Sequence, residues 1–239
     1  FISVCLAVWV FTSRDDENVF AKRVWAKYYL YLEGTMFMVL SQDTRGIGPK
    51  KNPDPVKLVG DPDTQTKRFV FIRHGESEWN DVFNKGKNLG MIGRLFGAFW
   101  REFRLYPTRD SVFLDSSLNT EGIEQAKELR EFITNDSSRA GASSETKLVL
   151  DILRGDAGHK SVVVSSNLRR ALQTTTVALW PRLEAKSEKI IICSSLQEIS
   201  RNVDTKALAD RKEIPDLSKL AGHCASDGSF NPDQVYNPT

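Results

Sequence analysis

The residues with most chemistry to offer lie between Arg73 and Asn80, in the string RHGESEWN. Arg73 supplies a planar, permanently charged fork that matches phosphate oxygens. His74 supplies an imidazole nitrogen able to attack phosphorus. Gly75 lets the backbone turn tightly and approach an anion where a side chain would stand in the way. The run before them, Phe69, Val70, Phe71 and Ile72, reads as a short buried strand. A strand ending in Arg-His-Gly would hold a phosphate group at its carboxyl edge. An incidental histidine at a strand end is the plain alternative, and the longer string through Trp79 and Asn80 argues against it.

Three further segments carry matching features. LDSSLNTEGIEQAKELREF (Leu114 to Phe132) is a loop leading into a helix. Asn119 or Thr120 can cap its start, and Ile123, Ala126, Leu129 and Phe132 or Ile133 share one face. SVVVSSNLRRALQTT (Ser161 to Thr175) begins with a buried-strand run, Val162 to Val164. Ser165, Ser166 and Asn167 can cap the helix that follows, placing free amides and a positive helix end beside an anion. Of the two arginines there, Arg169 is expected to face solvent. IIICSSLQEIS (Ile190 to Ser200) is a β-branched run followed by Leu196-Gln197-Glu198.

In this order the four blocks resemble the signature of the histidine phosphatase superfamily, the phosphoglycerate mutase-like family. The resemblance implies that His74 is transiently phosphorylated and that Arg73 and Arg170 hold the phosphoryl group. It implies that Gly75 and Asn80, with Ser77, contact substrate oxygens. Glu198 sits where the phosphatase branch carries the general acid that protonates the leaving oxygen. That branch includes the bisphosphatase domain of the bifunctional sugar-phosphate kinase/bisphosphatase. The mutase branch carries its acid earlier, in a Tyr-x-Glu-Arg context, and Glu102 before Phe103-Arg104 is a weak match. The family also expects a second histidine after a further strand. His159 lies at the wrong end of its strand, and His223 follows Glu198 too closely. The chain therefore reads as an internal fragment, starting at Phe1 and ending in the Pro/Asn-rich FNPDQVYNPT, with its phosphatase domain cut short.

The expected function is hydrolysis of phosphomonoesters through a phosphohistidine on His74, with a small phosphorylated molecule or a phosphoprotein as substrate. Two alternatives stay open: mutase-type phosphoryl transfer, and an inactive module that binds phosphate esters. The chemistry calls for no metal or organic cofactor. Cys5, Cys193 and Cys224 lack metal-ligand spacing, and His74-Gly75-Glu76 has no Pro-Cys-x-x-Cys partner to make a zinc deaminase site. A net charge of +2 over 239 residues gives no nucleic-acid or membrane preference by itself. The composition is that of a folded cytoplasmic enzyme. Membrane association is the less favoured alternative, through Ile2 to Phe11 or through residues 91–103. The first stretch is shorter than the roughly 20 residues a bilayer needs.

Alternating strands and helices predict an α/β domain over residues 67–239. Its expected form is three-layered, with a largely parallel sheet, helices on both faces and the site at the sheet's carboxyl edge. Residues 1–66 lie outside the resemblance. Tyr28 to Leu40 reads there as a β-hairpin turning at Glu33-Gly34-Thr35, followed by a linker from Asp43 to Thr66. Between the first two blocks, residues 86–110 form an insertion. Met91, Leu95, Phe99 and Phe103, with Ile92, Phe96 and Trp100, are spaced for one wide helical face, and Arg94, Arg101, Arg104 and Arg109 interleave. This predicts a core-packing helix. A lid that carries cations to the substrate and a membrane-surface helix are the alternatives.

Overall fold

The computed structural model describes residues 19–40, 67–86, 89–136, 140–156, 158, 160–198, 200, 202–209, 213–224 and 235–238. Ile2 to Phe11, the linker from Asp43 to Thr66 and His159 lie outside the described residues.

Helices dominate. They are α1 (Val19–Leu40), α2 (Glu78–Phe83), α3 (Leu89–Leu105), α4 (Thr120–Thr134), α5 (Ser144–Arg154), α6 (Arg169–Lys186) and the short α7 (Ala221–Cys224). The strands are β1 (Val164–Ser165), β2 (Ile190–Ile192) and β3 (Tyr236–Pro238), joined in the order β1-β2-β3 with both pairings parallel. Val164 lies opposite Ile191, and Ile190 opposite Tyr236. This corrects the expected three-layer α/β fold, because among the described residues the sheet is only this small parallel patch. Phe69 to Ile72 has no ladder partner and is not a strand, and the side chains of Phe69 and Phe71 are exposed. An apolar run fixes neither burial nor pairing until another strand supplies hydrogen bonds.

The expected hairpin is likewise absent, since Tyr28 to Leu40 is the second half of α1. The burial pattern gives the reason. Ala21, Val24, Lys27 and Gly34 are buried and Tyr31 is half-buried, a helical stripe that a period of two cannot produce. Gly34 belongs to that stripe, where an added Cβ would lie 3.0 Å from Val203 Cγ1.

Helix α4 follows its sequence closely. Asn119 is the cap, its side chain accepting from the Gly122 amide at 2.8 Å, and Ala126 and Ile133 are buried. Helix α6 is buried nearly all round. Thr174, Thr175 and Thr176 satisfy their hydroxyls by donating to the carbonyls four residues back, at 2.7 to 2.9 Å, as polar groups in a packed helix must. The main core joins α4, α6 and the sheet through Leu172, Val177, Leu183, Ile190 and Ile192. A second cluster joins α2, α3 and the loop before α4 through Val82, Ala98, Val112 and Phe113.

Candidate active site

The turn that carries His74 is held by residues from two later blocks. Gly75 packs backbone to backbone on Gly122 at the start of α4. An added Cβ on Gly75 would lie 2.6 Å from the Gly122 carbonyl oxygen, and one on Gly122 would lie 2.0 Å from that of Glu76. Only glycine permits such an approach. The Gly75 amide donates to Thr174 Oγ1 at 3.0 Å, and the Glu76 amide to Gln125 Oε1 at 2.9 Å. The Glu76 carbonyl accepts from the Asn119 amide at 3.1 Å. Gln173 Oε1 accepts from the Leu118 amide at 2.7 Å. The glycine, glutamines and threonine of the later blocks therefore position the turn through its backbone.

His74, Arg170 and Glu198 meet at this turn. His74 Nδ1 lies 2.7 Å from the Gly75 carbonyl oxygen. A carbonyl only accepts, so Nδ1 carries the proton and Nε2 keeps its lone pair. That lone pair accepts from Arg170 Nε at 3.2 Å. Burial lowers the His74 pKa from its ordinary value; the Gly75 carbonyl opposes this and the Arg170 charge adds to it. The ring is thereby kept neutral, as an attacking nitrogen must be. Arg170 is itself fully buried. Its other two nitrogens donate to Glu198 Oε2 at 2.8 Å and to the Asp204 carbonyl oxygen at 3.0 Å. One guanidinium thus joins His74 to two acidic residues.

The chain matches no family model, no curated protein and no solved structure.

An open cavity of about 1700 Å³ lies beside this cluster, between residues 67–74 and 160–166. Arg73 and Ser166 line it, and Arg73 is exposed there beside His74. The Gly75 amide is committed to Thr174, which leaves the glycine a packing role in this state. Asn80 is not among the cavity's lining residues, and its side chain accepts from Asn84 at 2.9 Å. Ser77 is buried and caps α2. Among the described residues no cluster of His, Cys, Asp and Glu is placed to hold a metal ion.

Arg169 departs from expectation. It is buried, donating to the carbonyls of Asp115 at 2.7 Å and Ser111 at 3.0 Å and pairing with Asp110 at 2.5 Å. Its own amide donates to Asp115 Oδ1 at 2.8 Å. The carboxylate of Asp115, and not Ser165 to Asn167, therefore serves the first turn of α6, whose cap Leu168 makes no side-chain cap bond. Glu102 is buried on the inner face of α3. It accepts from Ser111 Oγ at 2.8 Å and the Val112 amide at 2.6 Å, with Lys27 3.9 Å away. Desolvation pushes the Lys27 pKa down to about 8, against the pull of Glu102. His223 lies on α7, where the charges it senses are Lys127, Glu124 and Arg130 of α4.

Asp204 is the site residue that sequence reasoning missed. Burial pushes its carboxyl up to about 6, with Arg170 pulling it down and Glu198 and Asp115 raising it further. Its Oδ2 lies 3.5 Å from Arg170. It stands outside every recognised block, and a lone loop aspartate gives no signal in a sequence.

Proposed function

We propose that this chain is a phosphomonoester hydrolase that works through a phosphohistidine on His74. The observation that carries the reading is the contact of Arg170 with His74 Nε2 on one side and Glu198 on the other. A nucleophile, a phosphate-binding cation and a proton donor need this adjacency for phosphoryl transfer. The motif resemblance supports it independently.

The geometry supports the following sequence. An incoming phosphate monoester takes Arg170 from Glu198 and uncovers Nε2. The Nε2 lone pair forms a bond to phosphorus as the ester P–O bond breaks. Arg170 and Arg73 stabilise the charge spread over the non-bridging oxygens. Glu198, released from Arg170, takes up a proton from solvent and gives it to the departing alkoxide. Water then attacks phosphorus as the Nε2–P bond breaks, Glu198 takes the water proton and returns it to solvent, and inorganic phosphate leaves. A mutase reading has less support, because its only candidate acid, Glu102, is held in a buried network with Ser111 and Val112.

The test is trapping. Incubated with a labelled phosphate donor, the chain should form a base-stable, acid-labile adduct that His74→Ala removes. An adduct that persists in the variant would refute the assignment. Ester binding without any adduct would leave a binding module.

A further inference from the structure

Helix α3 turns its most apolar face outward. Ala98 and Glu102 are buried on its inner face, and Leu95 and Leu105 pack against the same cluster. Turned away from them lie Ile92, Phe96, Trp100 and Phe103, with Phe99 at the edge of the same roughly 100° arc, its ring 5.1 Å from that of the core residue Phe113. All five are exposed, Phe96 by 77 % and Phe103 by 73 %. The Trp100 and Phe103 rings stack at 6.1 Å, making a flat surface. A solvated helix normally presents its polar face to water, so this face fits a partner that takes up aromatic rings.

The charges beside the arc identify that partner. Arg104 borders the arc, about 40° past Trp100, and Arg101 lies farther round the helix, both exposed. The only acid of the helix, Glu102, is buried. The nearest outside acids are already engaged, Glu78 by Arg101 at 2.7 Å and Asp110 by Arg169 at 2.5 Å. Arg104 makes no ion pair among the described residues. A cavity of about 310 Å³ opens on this flank, where Arg101 and Lys219 are paired with Glu78 and Asp110 and Arg104 is the cation left over among the lining residues. An apolar aromatic arc bordered by an arginine is the pattern of a helix lying in a bilayer interface. A second copy of the chain would bring the same arginine flank against this one and offer no acid to meet it.

We infer that α3 docks this chain on an anionic lipid surface, with the aromatic arc at the acyl boundary and Arg104 among the headgroup phosphates. No helix among the described residues is long and apolar enough to cross a membrane, so the attachment is peripheral. The inference does not depend on the chemistry of His74, and every residue it uses lies outside that site.

Co-sedimentation of the whole chain with vesicles tests this. Binding to vesicles of phosphatidylcholine with a minority of phosphatidylserine should exceed binding to phosphatidylcholine alone and weaken with salt. Arg104→Gln should lower the affinity about fivefold, the effect of one cation at an anionic surface. Phe96→Ser with Phe103→Ser should lower it at least ~10-fold. Both phenylalanines are exposed, so circular dichroism should show the fold unchanged. Failure to bind either vesicle, or binding indifferent to these substitutions, overturns the proposal. So does a dimer seen by light scattering that the paired Phe variant dissociates while vesicles are left unbound.

Discussion

Replacing Asp204 by Asn should make the protein more stable at neutral pH and leave it little changed in acid. The carboxyl is buried, and desolvation raises it from an ordinary 3.8 to about 6, with Arg170 only partly offsetting the cost. Between those values the folded chain holds a proton that the unfolded chain has released. Stability therefore falls as pH rises through that window, and the loss is complete above about 6. At about 1.4 kcal/mol per pH unit the span amounts to about 3 kcal/mol. Asparagine fills the same space and cannot ionise. It also keeps the backbone carbonyl that accepts from Arg170 at 3.0 Å, and Arg170 retains Glu198 as a counterion. Urea unfolding of both proteins across pH gives the measurement. The advantage of the variant should widen by about 3 kcal/mol between roughly pH 4 and pH 7. A difference that stays flat with pH, or narrows, would mean that Arg170 holds Asp204 ionised and that burial is not the larger effect.

Two further substitutions probe the site and its support. Glu198→Gln should reduce turnover of alkyl phosphates by about 10²- to 10⁴-fold, the usual range for general acid catalysis, and spare aryl phosphates, whose phenolate leaves without a proton. Equal losses on both substrates would remove Glu198 from the acid role. Gly122→Ala drives a Cβ to 2.0 Å from the Glu76 carbonyl oxygen, with backbone on both sides. It should destabilise the chain by about 3 kcal/mol or more, read from urea unfolding; an unchanged midpoint would mean that the two turns can separate.

What could be read from the sequence was local. Asn119 announced α4 because a cap and its helix are neighbours in the chain. Arg170 and Glu198 are candidates through their blocks, and the structure brings them together with His74. The pairings that span the chain were not legible. Lys27 meets the Asp110 carbonyl, and Arg169 meets Asp110 and Asp115, and nothing near these residues marks them as partners. Arg169 and Arg170 are adjacent and both buried, yet one braces loops and the other faces His74. The hairpin expectation failed because aromatic and β-branched residues suit strands only when a sheet receives them. Here Lys27, Tyr31 and Gly34 gain more by lying along one helical stripe.

The carboxylate of Asp115 has a consequence for the order in which the molecule comes together. It meets the first turn of α6 from 54 residues away, and its other oxygen accepts from the Leu208 amide at 3.1 Å. Locally, Ser166 Oγ reaches only the Leu168 amide, at 3.3 Å, so the first turn of α6, which carries Arg170, takes its side-chain cap from this distant carboxylate. A cap within the turn forms as fast as the helix does, whereas one delivered across a long loop waits for that loop to close. During folding, the first turn of α6 and its Arg170 are therefore clasped only once that loop has closed. A chain with its helices formed but this clasp open has secondary structure with Arg170 unfixed, so hydrogen-exchange protection of the Arg169 amide would time the closing of the clasp and not the winding of the helices.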